Sequence, residues 1–465
     1  MSVRPLTPRM RQIPSRKSAV LSVLDVGASK IVSLIARLTP MEASETLPGR
    51  THRCKVLGVG HQRSRGVKAG AIVDLDAAEG AVRLAVDAAE RMSGVEVDSV
   101  VVNMSGGRLS SRLYEAKVGL GGRAVGERDV HRVLEAAAAA GARSGRAVLH
   151  AVPTGFWIDA TSGVRDPKGM IGDELGAELH VASCDAAAAR NLMLAIERCH
   201  LDVAAMVATP YAAGLSTLVD DEVELGAALI DFGGGSTTIG VFAGGRLVHV
   251  DAIAIGGAHV TMDVARGLSV SLADAERLKT FYGACVASPS DERDSIAVQR
   301  VGDEIDQPTH LPRSELVRII RPRVEEILEL ARDRLQTAGH AAQAGRRLVL
   351  TGGACQLTGL PELARAIVSS QARIGRPLGV EGLPESAKSP AFAAAVGLMV
   401  YPQMAGVEHF EPHGARPAST ADDAGYVARV GRWLRESFGR AAPRCRRRGT
   451  REFTHSNRRR RASRI

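Results

Sequence analysis

A glycine-rich segment between two apolar runs is the clearest candidate for chemistry in the 465-residue chain. In ALIDFGGGSTTIGVF (228–242), an aspartate precedes three glycines, and hydroxyl residues follow them. The flanking β-forming residues predict two strands joined by a tight turn. Such a turn exposes consecutive backbone N–H groups that bind phosphate, and glycine lets the ligand approach the backbone closely. The residues predicted to form this turn of the site are Asp231, Gly233, Gly234, Gly235, Ser236 and Thr237.

A second segment repeats this pattern near the start of the chain. VLDVGASKIVSLI (23–35) again places strand, aspartate, glycine turn and strand in order. One such turn is equally compatible with a plain β-hairpin, but two related turns that face each other would clamp the phosphates of a nucleotide. Neither is a Walker A loop or a GxGxxG turn that enters a helix. The carboxylates of Asp25 and Asp231 suit Mg²⁺ held through water, and the contacts predicted in this segment are Asp25, Gly27, Ser29 and Lys30.

A third glycine turn and a helical charge pair complete the predicted nucleotide site. In LTGGACQLTGL (350–360), Gly352 and Gly353 leave room for a flat base or a ribose against the backbone. In AERLK, Glu276 and Lys279 are three residues apart and share one helix face. They are predicted to reach the ribose hydroxyls. The alternative is an exposed helical ion pair without a ligand.

Composition limits the other classes of function. The hydrophobic content of 45% and the charged content of 24% are typical of globular proteins, and the length predicts two or more domains. The six cysteines lack metal-ligand spacing, so neither a zinc site nor a disulfide framework is predicted. The net charge of +9 comes from 439–465, which holds eleven Arg and one Glu, so the rest of the chain is close to neutral. No specific nucleic-acid partner is therefore expected.

The order of predicted elements indicates a duplicated α/β fold. The two aspartate turns lie in similar hairpins, and helices are predicted over 76–94, 185–203, 272–283 and 314–339. A β-β-α-β block after the first helix has the pattern of an inserted module. The apolar run AFAAAVGLMVY (391–401) predicts a buried helix, and neither a secretory signal nor a membrane-spanning helix is expected.

The last part of the chain predicts a short helix with two different faces. The segment DDAGYVARVGRWLRESFGR (422–440) follows a Pro-rich polar linker. It is too short to span a bilayer, and aromatic residues beside arginine are typical of a helix in the plane of the membrane surface. The alternative is an amphipathic helix docked on the protein itself. The residues predicted to meet the membrane are Val427, Val430, Trp433, Leu434 and Phe438, flanked by Arg429, Arg432 and Arg435.

Taken in order, these motifs resemble the actin, heat-shock chaperone and sugar-kinase superfamily. The inserted module and the C-terminal helix resemble the bacterial cell-division family FtsA in particular. AIAIGGAHVTMDVARGLSVSLADAERLK (252–279) and LHAVPTGFWID (149–159) also read like that family. The resemblance implies actin-like, duplicated ribonuclease-H-like domains around a nucleotide cleft, with an inserted β/α subdomain and a C-terminal amphipathic helix.

This resemblance sets the expected domain boundaries. They are a disordered N-terminus (1–18), a first actin-like domain (19–95, 177–213 and 375–405), the inserted subdomain (96–176), a second actin-like domain (214–374, its smaller subdomain 264–335), a linker (406–423), the amphipathic helix (424–439) and an Arg-rich disordered tail (440–465). The tail either adds attraction to anionic lipid or is an unselected extension.

The resemblance also implies a function. The family binds ATP and Mg²⁺, forms homopolymers on anionic lipid at the cytoplasmic face of the inner membrane, and tethers FtsZ at the division septum, where later division proteins join. Weak or absent ATPase activity is expected because VATPYAAGL (207–215), which resembles the connection between the halves, has no carboxylate or amide to orient water. The alternatives are a pilus-assembly protein like PilM and, on the same fold, a small-molecule kinase.

Overall fold

The Asp25 turn joins the first two strands of a five-stranded sheet. The computed structural model describes residues 7–42, 50–141, 145–302, 308–339, 346–369 and 371–409. The elements up to the middle of the chain are β1 (Ala19–Val26), β2 (Lys30–Pro40), β3 (His52–Arg63), β4 (Val67–Lys68), β5 (Ala71–Ile72), α1 (Leu75–Ser93), β6 (Ser99–Met104), β7 (Ser110–Gly119), α2 (Glu127–Gly141), β8 (Arg146–Ile158), β9 (Thr161–Val164), β10 (Glu174–Asp185), α3 (Ala186–Glu197), β11 (Asp202–Ala208) and α4 (Thr209–Thr217).

The later elements begin with α5, which leads into β12. They are α5 (Asp220–Leu225), β12 (Ala227–Phe232), β13 (Thr237–Ala243), β14 (Arg246–Ile253), α6 (Gly257–Leu268), α7 (Leu272–Tyr282), β15 (Ser295–Val298), β16 (Thr309–Pro312), α8 (Arg313–Thr337), β17 (Arg347–Thr351), α9 (Leu360–Ile367), β18 (Gln371–Ile374) and α10 (Ala393–Met404). Short 3₁₀ helices occupy Gly353–Gln356, Glu385–Lys388, Pro390–Phe392 and Ala405–Val407.

The two halves repeat one sheet pattern. The first sheet has the order β11-β6-β1-β2-β3, and β18-β17-β12-β13-β14 forms the corresponding part of a larger sheet. In each, three antiparallel strands are followed outward by two parallel ones. Because β1–β2 and β12–β13 hold equivalent places, the two aspartates end equivalent strands. The duplicated α/β fold predicted from the two hairpins is confirmed.

Two apolar cores hold the halves together, and the core of the first half also includes Leu229 of β12 and Val250 of β14. In the first half, α1 begins at a cap where the Asp74 side chain accepts from the Ala77 N–H, and it ends at Gly94 in the left-handed conformation. Its buried face is built from alanine and valine at helical spacing, which lets it lie close to β3. In the second half, β12, β13 and β17 pack against α6, α8 and α9. These cores fix the strand ends that carry the glycine turns.

A module of four strands and one helix lies between β6 and α3. Strands β7, β10, β8 and β9 form its sheet, and α2 packs on one face over a small core of its own. Strand β6 falls inside the predicted block 96–176, yet it pairs with β1 in the first sheet. The module in the structure therefore begins after β6, later than the predicted residue 96. It extends to the end of β10, beyond the predicted residue 176. Its strand β7 also pairs with β14 at Ser110 and Asp251, so the second sheet has nine strands.

The apolar run predicted to be a buried helix is α10. The segment Pro390–Val407 is long and apolar enough to cross a membrane, but 78% of it is buried inside the protein. Within it, Gly397 approaches the Ala212 carbonyl of α4 so closely that a side chain there would collide with it. The helix is therefore part of the core of the first half, as the sequence predicted.

Residues 7–18 differ from the prediction of a disordered N-terminus. Thr7 is buried, the Ile13 N–H donates to the Pro402 carbonyl at 3.0 Å, and Gln12 Nε2 donates to the Gln403 carbonyl at 2.7 Å. Met10 also packs against the core of the first half. The composition of the segment alone predicted disorder, but its hydrogen-bond partners lie at the other end of the chain.

Candidate functional site

The two glycine turns that the sequence predicted lie against each other. A Cβ built on Gly234 would be 3.0 Å from Ser29 Oγ, and one on Gly235 would be 2.6 Å from Ala28 Cβ. The first turn is closed by the Gly27 N–H, which donates to the Lys30 carbonyl at 3.0 Å. A side chain at Gly234 or Gly235 would collide with the first turn, which explains why these positions are glycine.

Two buried carboxylates and one ammonium group lie beneath these turns. Asp25 is 7% exposed and Asp231 is 8% exposed. Burial and, to a smaller extent, the charge of Asp25 raise the pKa of Asp231 to about 7, although Lys30 opposes the rise. Burial also raises the pKa of Asp25, while Lys30 and a hydrogen bond from Asn103 oppose this. Two acids with raised pKa values form a site that favours additional positive charge.

Lys30 is held within the site. Its ammonium group donates to the Ala391 carbonyl and lies 3.7 Å from the centroid of the Phe392 ring. Burial lowers its pKa, whereas Asp25 and Asp231 raise it. The charge of Lys30 therefore acts on both carboxylates, and its ammonium group is anchored by the segment that leads into α10.

The structure adds Asn103, which the sequence analysis missed. Its Nδ2 donates to Asp25 Oδ1 at 2.6 Å and to Thr209 Oγ1 at 3.1 Å, while its Oδ1 accepts from the Val26 N–H at 2.8 Å. Asn103 lies near the end of β6, directly beside β1 in the parallel pair. A polar residue at the end of a parallel strand next to Asp25 was the available signal, but it became informative only when the strand order was known.

The hydroxyl residues of the second turn have different environments. Thr237 Oγ1 donates to the Ile255 carbonyl at 2.8 Å, so its proton is already used within the protein. Ser236 is buried, and Ser29 in the other turn is exposed. The Gly257 N–H donates to the Gly233 carbonyl at 2.9 Å, so the start of α6 is fixed to this turn.

The predicted charge pair joins α7 to the same helix start. Lys279 Nζ donates to Glu276 Oε2 at 2.7 Å, to Thr261 Oγ1 at 2.8 Å and to the Gly257 carbonyl at 3.2 Å. Lys279 is buried, whereas the Glu276 side chain is 55% exposed. Burial raises the pKa of Glu276, but the charge and hydrogen bond of Lys279 outweigh this and hold the pKa below its ordinary value. Glu276 thus presents an ionised carboxylate next to the second turn.

The third glycine turn is packed onto the Asp231 end of β12. Gly352 has φ +85°, and a side chain there would collide with the Asp231 carboxylate and the Phe232 carbonyl. The Gly352 N–H donates to the Pro390 carbonyl at 3.2 Å. By contrast, a Cβ on Gly353 would meet only Ala391 Cβ at 3.7 Å, so this position leaves space for a ligand.

Together these contacts bring the three turns to one place. The residues predicted to face the membrane lie outside the described residues; they are Val427, Arg429, Val430, Arg432, Trp433, Leu434, Arg435 and Phe438.

Among the residues that the structure describes, no group of three His, Cys, Asp or Glu side chains could enclose a metal ion. The carboxylates of Asp25 and Asp231 are oxygen ligands of the kind that hydrated Mg²⁺ prefers.

Comparisons with known proteins agree with this architecture. A family model described as "Cell division protein FtsA" matches residues 228–397, and one described as "SHS2 domain inserted in FTSA" matches 106–183. Cell division protein FtsA from Rhizobium meliloti is 56% identical over 93% of this chain and 98% of its own length. The Escherichia coli K12 protein of that name is 32% identical over 89% of this chain and 97% of its own.

A solved structure shares the fold at much lower identity. A chain of the "PilM-PilN type IV pilus biogenesis complex" superposes with a TM-score of 0.57 at 15% identity, covering 82% of this chain and 98% of that one. This likeness concerns the fold alone.

Proposed function

The chain belongs to the FtsA family of bacterial cell-division proteins, and we propose from this that it binds ATP, assembles on the inner membrane and tethers FtsZ to it. The observation that supports nucleotide binding most strongly is the contact between the two glycine turns above Asp25, Lys30 and Asp231. The relatives at 54–56% identity favour this over a PilM-like role, since the PilM likeness is 15% identical.

In this proposal the triphosphate of ATP lies at the two turns. The backbone N–H groups of Gly234 and Gly235 face the phosphates, and Lys30 exchanges the Ala391 carbonyl for a phosphate oxygen. Gly352 and Gly353 border the base, and Glu276 accepts from the ribose hydroxyls. A hydrated Mg²⁺ held by Asp25 and Asp231 would supply positive charge to the triphosphate.

The arrangement around the turns favours binding over hydrolysis. Asp25 accepts from Asn103, and Thr209 at the start of α4 accepts from the same amide, so these groups are engaged with one another. The first turn of α4 brings no carboxylate or amide towards them. We therefore expect phosphate release well below about 1 s⁻¹, the low end of ordinary turnover.

Membrane attachment is assigned to the helix predicted over 424–439. One amphipathic helix binds a bilayer weakly, but several helices in a polymer bind strongly through avidity. Nucleotide-dependent self-assembly would then control residence on the cytoplasmic face of the inner membrane at the septum. The smaller subdomain of the second half, 264–335, is proposed to contact FtsZ, and the inserted module to contact later division proteins.

Nucleotide binding is tested by titrating the protein calorimetrically with ATP and Mg²⁺. Gly234→Ala places a methyl group against Ser29 and should weaken binding at least about tenfold, a cost of about 1.4 kcal/mol. Gly80→Ala is the control because its Cβ meets nothing within 4 Å. If Gly234→Ala binds ATP as tightly as Gly80→Ala does, the glycine turns are not part of the nucleotide site. Transfer of phosphate to a small molecule would instead support the kinase alternative.

Membrane binding is tested by sedimentation with liposomes that contain anionic lipid. The comparison uses the full chain, a chain that ends at Gly439, and Trp433→Glu in each. Loss of sedimentation with Trp433→Glu in both chains supports the helix as the anchor. Loss only on removal of the Arg-rich tail would show diffuse electrostatic binding, and no sedimentation of any protein would contradict membrane attachment.

A further inference from the structure

The tip of the β4–β5 hairpin lies between the second glycine turn and the base of the inserted module. On one side, a Cβ built on Gly235 would be 3.0 Å from the Ala69 backbone nitrogen. On the other side, a Cβ on Gly106 would be 2.6 Å from the Ala69 carbonyl oxygen. Ala69 and Gly70 both have positive φ, at 47° and 74°. Backbone therefore meets backbone on both sides of the hairpin tip.

The base of the module is also tied to the first turn. Asn103 donates to Asp25, and only two residues separate Asn103 from Gly106. A Cβ on Gly107 would be 2.7 Å from Ala188 Cβ and 2.9 Å from Met104 Cε, so this segment is closely packed. A movement at either glycine turn is thus transmitted to Gly106 through close contacts, because packed interiors transmit strain.

From this base, the module reaches the second half of the protein. Ser110 pairs with Asp251 of β14. The next residue forms a reciprocal contact, in which Ser111 Oγ accepts from the Val250 N–H at 2.7 Å and donates to the Val250 carbonyl at 3.2 Å. Arg246, at the start of β14, donates to the Pro153 carbonyl of β8. The module is therefore attached to the first half by its two chain connections and by hydrogen bonds from the Ala208 and His409 N–H groups to β8. It is attached to the second half by the contacts with β14.

We propose that the Ala69–Gly70 tip is a relay through which nucleotide phosphates at the two glycine turns change the docking of the inserted module on β14. This inference rests on the proposed nucleotide site. A displacement of the tip reaches the module at Gly106. It then alters the contact of Ser110 and Ser111 with β14. Because coupling between sites is reciprocal, a protein that binds the module and shifts it from β14 also changes the affinity for nucleotide.

The relay is tested by hydrogen–deuterium exchange on the full chain with and without ATP and Mg²⁺. Peptides over 25–33 and 229–242 report binding at the turns, and peptides over 106–119 and 246–253 report docking of the module. The altered protein is Gly106→Ala, whose methyl group would press on the Ala69–Gly70 backbone. Gly119→Ala is the matched control, since it lies in β7 of the same module and its Cβ meets nothing within 4 Å.

In the parent and in Gly119→Ala, ATP should change exchange at the docking peptides by about fivefold or more, the low end of ordinary coupling between sites. In Gly106→Ala, protection of the turns should remain and the response at the docking peptides should be lost. A response in Gly106→Ala equal to that of the parent would overturn the relay. A parent that shows protection at the turns but no response at β7 and β14 would overturn it as well, while leaving the nucleotide site intact.

A second variant keeps the test decisive if Gly106→Ala does not fold. Ser111→Ala removes both hydrogen bonds to Val250 without altering a glycine. Exchange at 106–119 should then become faster and independent of ATP, while the turns stay protected. An unchanged ATP response in this variant contradicts the relay. If ATP protects no turn peptide in the parent, both the nucleotide site and the relay are wrong.

Discussion

Replacing Asp231 with asparagine tests the electrostatics of the site directly. The Asp231 carboxyl is 8% exposed, and it lies beneath the glycine turns with Asp25 and Lys30. Its burial raises the pKa from 3.8 to about 7. Asparagine keeps the shape of the side chain and removes the ionisation. We expect Asp231→Asn to stabilise the ligand-free protein and to abolish the Mg²⁺ dependence of ATP binding.

The size of the effect follows from proton linkage. Between pH 3.8 and about 7, the folded protein keeps a proton on Asp231 that the unfolded chain releases. The unfolded state binds fewer protons in this window, so the free energy of unfolding falls as the pH rises through it. At pH 8, the pKa difference lowers the free energy of unfolding of the parent by about 4 kcal/mol. At pH 5, which lies between the two pKa values, it lowers the free energy of unfolding by about 2 kcal/mol.

The assay is urea unfolding of the parent and of Asp231→Asn at pH 5 and pH 8, followed by circular dichroism. The advantage of the variant should grow by about 2 kcal/mol between these values. Glu115→Gln, an exposed acid on β7, is the control and should show no such change. An advantage that is equal at both pH values, or a variant less stable than the parent at pH 8, would refute this reasoning.

Three further predictions concern other residues. Gly352→Ala should weaken ATP binding at least about tenfold in calorimetry, because its side chain would collide with the Asp231 carboxylate and its φ of +85° is unfavourable for alanine. Lys30→Met should weaken ATP binding at pH 7 by a similar factor, since it removes the cation that opposes the raised pKa of Asp231. Glu408→Ala should lower the free energy of unfolding by about 1–3 kcal/mol, because it removes the buried acceptor that lies 2.9 Å from His150 Nδ1.

Each of these has an outcome that contradicts it. Parental affinity in Gly352→Ala or Lys30→Met would place the nucleotide elsewhere. For the buried pair, Glu385→Ala is the control, since its carboxylate is 87% exposed and pairs with Lys388. Exposed pairs of this kind contribute about 0–1 kcal/mol, so equal losses in the two variants would show that burial of Glu408 is unimportant.

The local structure around the candidate site could be predicted from the sequence. The Asp25 and Asp231 hairpins combine strand patterns with glycine turns, and the Glu276–Lys279 pair follows from helical spacing, so each depends on neighbours within a few residues. The duplicated fold followed because both hairpins carry the same pattern.

The long-range partners could not be predicted in this way. Asn103 meets Asp25 across 78 residues, and Lys30 meets Ala391 across 361. Such contacts depend on strand order and on the packing of α10, which no local pattern encodes. The ordered arm of residues 7–18 was missed for the same reason.

The most direct test of the proposed function is flotation of FtsZ with liposomes that contain anionic lipid. We predict that FtsZ floats only when the full chain and ATP with Mg²⁺ are present, and that Trp433→Glu abolishes its recruitment while ATP affinity stays unchanged. If FtsZ stays in solution although the full chain floats, or if Trp433→Glu recruits FtsZ as well as the parent does, the proposed tether is contradicted.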